Sequence, residues 1–228
     1  MRRGVRGALR WGIPLILMPL LVVLGGWWLG DRFYAWGILG MALLTQALFL
    51  TGFERKTTGA RRLVIAAVMT ALSVLGRIVF APIPGFKPIT AIVVITAIWL
   101  GGETGFLVGS LSALISNFFS GQGPWTPFQM FAWGMLGLAA GLFSEKLRKS
   151  RAALAAYGVF AGVAYSLFMD VWTVLWYNGT LNGEMYLAAV VTALPYMASY
   201  AVSNAVFLLL LGKPFGEKLA RIRMKYRV

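Results

Sequence analysis

An all-α membrane protein is the fold class this sequence predicts, and three observations carry the prediction. The 228 residues are 59% hydrophobic, with a mean hydropathy of +0.77 and only 12% charged residues. That is more apolar surface than a soluble domain of this size could bury. The apolar residues also fall in runs close to the roughly 20 residues that cross a bilayer. Finally, the basic residues are segregated along the chain in a way that only an even alternation of spans explains.

Eight spans are expected, at approximately 11–30, 33–53, 63–81, 88–101, 104–120, 127–144, 152–176 and 187–211. The first is too long an apolar run, and lacks the small-residue cleavage site, to read as a signal peptide. The fourth is short, which suits a tilted or partly re-entrant helix. Of the 21 Lys and Arg, four lie in the first ten residues, four at Arg55, Lys56, Arg61 and Arg62, four between Lys146 and Arg151, and six from Lys213 onward. With eight spans these 18 share one side, Arg32 and Lys87 take the other, and Arg77 lies within a span. Both termini are therefore expected in the cytoplasm. The net charge of +14 then reads as orientation and contact with anionic lipid rather than as a nucleic-acid footprint.

The sequence excludes several chemistries. With no Cys and no His, thiolate or imidazole metal sites, histidine-ligated haem and Ser-His-Asp catalysis are absent. No GxxxxGK[ST] phosphate loop occurs, so ATP is not hydrolysed by that route. If transport is active, another subunit supplies the energy.

Three loops are expected on the outer face: APIPGFKP at 81–88, SGQGPWTP at 120–127 and WYNGTLNGE at 176–184. Irregular backbone rich in aromatic and amide side chains at a membrane boundary suits a pocket for a bulky polar solute. Polar groups that are costly in hydrocarbon cluster in the same outer half. Arg77 lies about a turn from the end of the third span, Asn117 sits similarly on the fifth, and Gln129 opens the sixth. Asp170 lies roughly 9 Å deep on the seventh, at about 1.5 Å per residue. An unpaired Asp there calls for a partner, and Arg77 is the expected one. Phe86, Phe118, Trp125 and Tyr177 crowd this region, and Asn178 adds an amide. Many of these aromatics also suit an ordinary interfacial belt. Inside the spans, small residues recur at four-residue spacing: Ala67/Ala71, Gly105/Gly109, Gly137/Gly141, Gly158/Gly162 and Ala201/Ala205. Most suit close packing within the bundle. Ala67/Ala71, just after Arg61 and Arg62, is the candidate for docking a partner helix.

From Arg62 to Leu211 the chain resembles the substrate-binding S component of energy-coupling factor (ECF) vitamin transporters. The resemblance rests on six spans, Ala67-x-x-x-Ala71 on the first of them, PIPGFKP after it, and GFLVGSLSALISNFFSGQGPWTPFQMFAWG over the third and fourth. PIPGFKP and GQGPWTPFQ look most like the cobalamin or corrinoid branch. The resemblance implies a six-helix S-component core at 56–212; the two-helix extension at 1–55 departs from that pattern, and a basic cytoplasmic tail is expected at 213–228. It implies a multi-pass protein of a prokaryotic cytoplasmic membrane that is not an enzyme and has no cofactor of its own. Its partners would be a membrane scaffold subunit docked on Ala67 and Ala71, two cytoplasmic ATPases, and a vitamin as transported ligand. Phe86, Phe118 and Trp125 would stack on that vitamin, Asn117, Gln122, Gln129 and Asn178 would hydrogen-bond it, and Arg77 and Asp170 would orient the pocket. Riboflavin or a queuosine precursor are alternative ligands. A lipid-modifying enzyme using Asp170 or Glu103 is the rival reading, but those two residues fall on opposite sides. A structural or insertase-like scaffold is a third, and would retain no small molecule.

Overall fold

The computed structural model describes residues 60–226; the expected spans at 11–30 and 33–53, with the extension that contains them, lie outside the described residues. Seven helices and no strands are found among the described residues: α1 (Ala60–Val79), α2 (Ile89–Leu100), α3 (Gly102–Ser120), α4 (Thr126–Leu142), α5 (Ser144–Lys149), α6 (Arg151–Asn178) and α7 (Gly183–Tyr226). Six are long and α5 is a single short connector. They match the expected third to eighth spans in order.

The punctuation is local. After α1, Pro82 and Pro84 lack the N–H groups a helix needs, and the chain turns through Ala81 N–H to the Ile78 carbonyl at 3.0 Å. Between α2 and α3 only Gly101 intervenes, with a φ of 95° that favours glycine. Arg62 of α1 closes that end by donating Nε to Thr104 Oγ1 at 2.9 Å and Nη2 to the Leu100 carbonyl. A cation on the last carbonyls of α2 also opposes the helix dipole. Pro127 stands in the first turn of α4, where its missing N–H costs nothing. The Ser150 hydroxyl caps α6 by accepting from Ala153 N–H at 3.1 Å.

α2 is the axis of the bundle. Its sequence ITAIVVITAIWL is apolar on every side, and every residue except Trp99 is buried. A helix apolar all round must be surrounded, and here the surroundings are α1, α3, α4 and α7 rather than lipid. Its 12 residues reach about 18 Å, short of a bilayer core of about 30 Å, so protein rather than lipid accounts for its hydropathy.

Three helical stretches are individually long and apolar enough to cross a membrane: Arg61–Val79, Arg151–Asn178 and Gly183–Lys225. At about 1.5 Å per residue the 44 residues of α7 extend about 66 Å, twice what a bilayer core requires. The expected span ended at 211, but the helix continues through the basic tail. There Phe215 and Leu219 pack on the core while Lys213, Lys218 and Arg221 are exposed. That amphipathic pattern sustains a helix beyond the hydrocarbon.

The small residues set the closest helix contacts. A Cβ on Gly105 would lie 2.4 Å from Ala97 Cβ, and one on Gly137 would lie 2.6 Å from the Gly105 carbonyl carbon, joining α2, α3 and α4. Gly158 and Gly162 face Ala205 and Ala201, so two of the four-residue motifs pack on each other across α6 and α7. Ala67 and Ala71 differ: both are exposed on α1, among the exposed Val64, Val68, Leu72 and Leu75.

Candidate functional site

The two ends of the bundle differ in chemistry. One end holds Arg62 at the α2–α3 turn, α5 with Lys146, Arg148 and Lys149, and the basic C-terminal part of α7. The other holds the loops 80–88, 121–125 and 179–182. Three hydrogen bonds fasten the first of these loops to α7: Ser199 Oγ donates to the Pro84 carbonyl at 2.8 Å, Lys87 N–H donates to Ser203 Oγ at 2.8 Å, and Ser203 Oγ donates to the Lys87 carbonyl at 3.0 Å.

Beneath the loops lies a buried polar chain. Arg77, near the end of α1, donates Nη1 to Ser116 Oγ at 2.5 Å and to Asn117 Oδ1 at 2.8 Å. Its guanidinium also sits 5.1 Å from the centroid of the Trp133 ring, a favourable face for a cation. Asn117 in turn donates Nδ2 to Thr126 Oγ1 and to Gln129 Oε1, both at 2.9 Å. Thr126 passes the chain on to Gln122 Oε1 at 2.9 Å, and Gln122 ties back to the Leu114 carbonyl at 2.8 Å. Each member has partners, as a buried polar group in a membrane bundle must. The chain links α1, α3 and α4 to the Gly121–Trp125 loop.

An aromatic wall adjoins it. Trp133 stacks on Tyr165 with centroids 4.8 Å apart, Tyr165 meets Tyr200 at 5.2 Å, and Trp133 Nε1 donates to Thr90 Oγ1 at 3.2 Å. The Tyr165 hydroxyl lies beside Gln129. Half-buried Lys87 is a second cation here, and burial, reinforced by the Arg77 charge, holds its ammonium below the usual lysine value.

Of the expected site residues, the structure brings together Arg77, Asn117, Gln122 and Gln129. The Arg77–Asp170 pair does not form. α1 packs on α2 and α3, whereas Asp170 is on α6, which packs on α7 and α4. Asp170 is only 8% exposed, and its Oδ2 has no hydrogen-bond partner among the described residues. It lies within electrostatic reach of Tyr186. Phe86 packs against Phe80 and Phe207 at 6.1 and 5.1 Å, tucked into the bundle rather than facing out. Trp125 is 38% exposed and its ring lies against Gly123, where an added Cβ would be 2.3 Å away. Phe118 and Tyr177 are 73% and 77% exposed and take no part in the polar chain. Asn178 is used by its own turn, donating to Thr180 at 3.2 Å.

Ser116, Thr126, Thr90, Tyr165 and Tyr200 join the site without having been expected there. Ser116 and Thr126 carried a weak signal, as neighbours of Asn117 and Trp125. The two tyrosines carried none, since a tyrosine in an apolar span is usually packing or belt.

The family model for "ECF-type riboflavin transporter, S component" matches residues 58–221. No curated protein and no solved structure matches the chain.

Proposed function

The chain belongs to the family of ECF-type riboflavin transporter S components, and from that premise we propose that it captures a vitamin at the loop end described above. This is a family of transporter subunits rather than of enzymes, and it implies a scaffold subunit, ATPases and a vitamin ligand. The observation that carries the site is the buried chain Arg77–Asn117–Gln129 directly under the Gly121–Trp125 loop. Its amide and hydroxyl groups already hydrogen-bond in both senses, so a ligand's polar edge can exchange with them without stranding a buried partner. Trp125 and Phe118, at the rim, offer aromatic faces for stacking. The outward face of Ala67 and Ala71 supports docking of the scaffold on α1.

For the vitamin itself we propose a corrinoid. The loop sequences PIPGFKP and GQGPWTPFQ support it, as do the aromatics left exposed across the ends of α3 and α6, which suit a ligand spreading over several helix ends. A flavin is the second reading. The matching family's description names riboflavin, and the compact stack of Trp133 and Tyr165 beside hydrogen-bonding amides suits a planar ring with an imide edge.

Purification of the full chain in mild detergent, followed by the visible spectrum and mass spectrometry of any released molecule, separates the readings, since both vitamins are coloured and differ in spectrum. A stoichiometric corrinoid is expected. A retained flavin replaces the corrinoid assignment, and failure to retain or bind either in a vitamin panel removes the capture role.

A further inference from the structure

At the basic end of the bundle, opposite the loops, a cavity of about 470 Å³ opens between α2, α5, α6 and α7. Its floor is apolar, with Ile98, Leu154 and the fully buried Leu208 among its lining residues. Its rim carries Arg148, Lys149, Arg151 and Lys213. Glu217 is the acid within that lining, and Glu145 pairs with Lys149 at 2.6 Å, so positive charge remains in excess. Trp99 stands between floor and rim. Its ring packs so closely on Gly216 that a Cβ there would lie 2.7 Å from the indole nitrogen, and Arg148 sits 5.5 Å from its centroid.

An apolar floor, a basic rim and an indole at the boundary are the complement of one kind of molecule, an anionic amphiphile. The volume falls in the range of about 300–1,000 Å³ typical of small-molecule sites. By the positive-inside rule this end lies at the cytoplasmic leaflet, where anionic phospholipid is the abundant molecule of that description. We propose that this cavity is a binding site for one anionic phospholipid. Its phosphate lies among Arg148, Arg151 and Lys213, and the upper part of its acyl chains lies over Ile98, Leu154 and Leu208. A lipid so placed bridges α5 and the start of α6 to the extended part of α7. It therefore couples the composition of the inner leaflet to the position of the helix end that leaves the membrane.

The test uses the full chain, delipidated in detergent and then titrated with phosphatidylglycerol or phosphatidylcholine and read by native mass spectrometry. One phosphatidylglycerol is expected to bind at least about tenfold more tightly than phosphatidylcholine. The double variant Arg148→Gln/Lys213→Gln should lose about tenfold, while a charge-matched control, Lys218→Gln/Arg221→Gln, should bind as the parent does. Filling the floor with Leu154→Trp should also expel the lipid, in a protein still monodisperse by size exclusion. Equal affinity for the two lipids overturns the proposal, as does equal loss in the control, which would mean bulk charge rather than a site. Displacement of the lipid by millimolar inorganic phosphate overturns it too, because a free anion would then be the occupant. So does exclusion of the lipid by the scaffold and ATPases in the assembled transporter, which would make the cavity a protein interface.

Discussion

Replacing Asn117 with Ala tests the polar chain at its hub. Three hydrogen bonds end on that side chain, from Arg77 at 2.8 Å and to Thr126 and Gln129 at 2.9 Å each. Interhelical hydrogen bonds in membranes average about 0.6 kcal/mol, which sets a lower estimate of about 2 kcal/mol for three. A bond from a charged donor is worth about 1.5–3 kcal/mol, and a stranded buried partner costs about 1–3 kcal/mol. The partners are not equally stranded. Arg77 keeps Ser116 and the Trp133 face, and Thr126 keeps Gln122. Gln129 keeps only the Tyr165 hydroxyl beside it. The expected loss is therefore about 2–4 kcal/mol, not the sum of the upper values. Gln122→Ala, at the rim, removes bonds near solvent and should cost less than about 1 kcal/mol. Equilibrium unfolding in mixed detergent measures both, with vitamin retention followed on the same samples. Equal loss in the two variants, or an Asn117→Ala variant within about 1 kcal/mol of the parent, would refute Asn117 as the hub.

Three further outcomes are expected. Ala67→Leu with Ala71→Leu, on the exposed face of α1, should abolish uptake in cells while leaving vitamin binding by the purified chain unchanged; normal uptake would remove the docking role. Trp125→Ala should weaken vitamin affinity about tenfold, as loss of one aromatic anchor does, and an unchanged titration would take Trp125 out of the site. Lys87 binds its proton less readily in the folded protein than at the ordinary value of 10.5, through burial first and the Arg77 charge second. The unfolded chain therefore holds more protons across the window from that lowered value up to 10.5, and stability rises with pH there. Lys87→Met should flatten the rise in melting temperature measured as the pH approaches 10.5 from below, and a persistent rise would assign it to another group.

The helices were legible because their boundaries are local. Pro82, Gly101, Gly121 and Gly179 stop a helix through their own backbone chemistry and Ser150 starts one through its hydroxyl, and all are visible in the sequence. Axial depth was legible too: Arg77, Asn117 and Gln129 lie at one level because each is near a span end. Neighbourhood was not. Depth along a helix says nothing about which helix stands beside it, so Asp170 looked like the partner of Arg77 when α3 was the neighbour of α1. That α7 runs on past the expected span was not legible, for a related reason. Hydropathy falls at Lys213, but the apolar Phe215 and Leu219 keep the period that lets the helix run on along the bundle.

The pairing of Arg77 with an amide instead of a carboxylate has a consequence for capture. An Arg–Asp ion pair buried at this depth would be held by mutual charge, and breaking it would leave two uncompensated ions at a cost of about 3–5 kcal/mol. A ligand would have to overcome that before gaining anything. The guanidinium instead rests on two neutral acceptors and an indole face, each of which a ligand carbonyl can replace at small net change. On the proposed reading, Asn117 and Gln129 would turn to the ligand through rotations that exchange one neutral hydrogen bond for another. Asp170, on α6 and away from this exchange, keeps its unpartnered oxygen. Its role is therefore separable from that of Arg77: Asp170→Asn should change vitamin affinity less than Asn117→Ala does, and the reverse order would return Asp170 to the centre of the site.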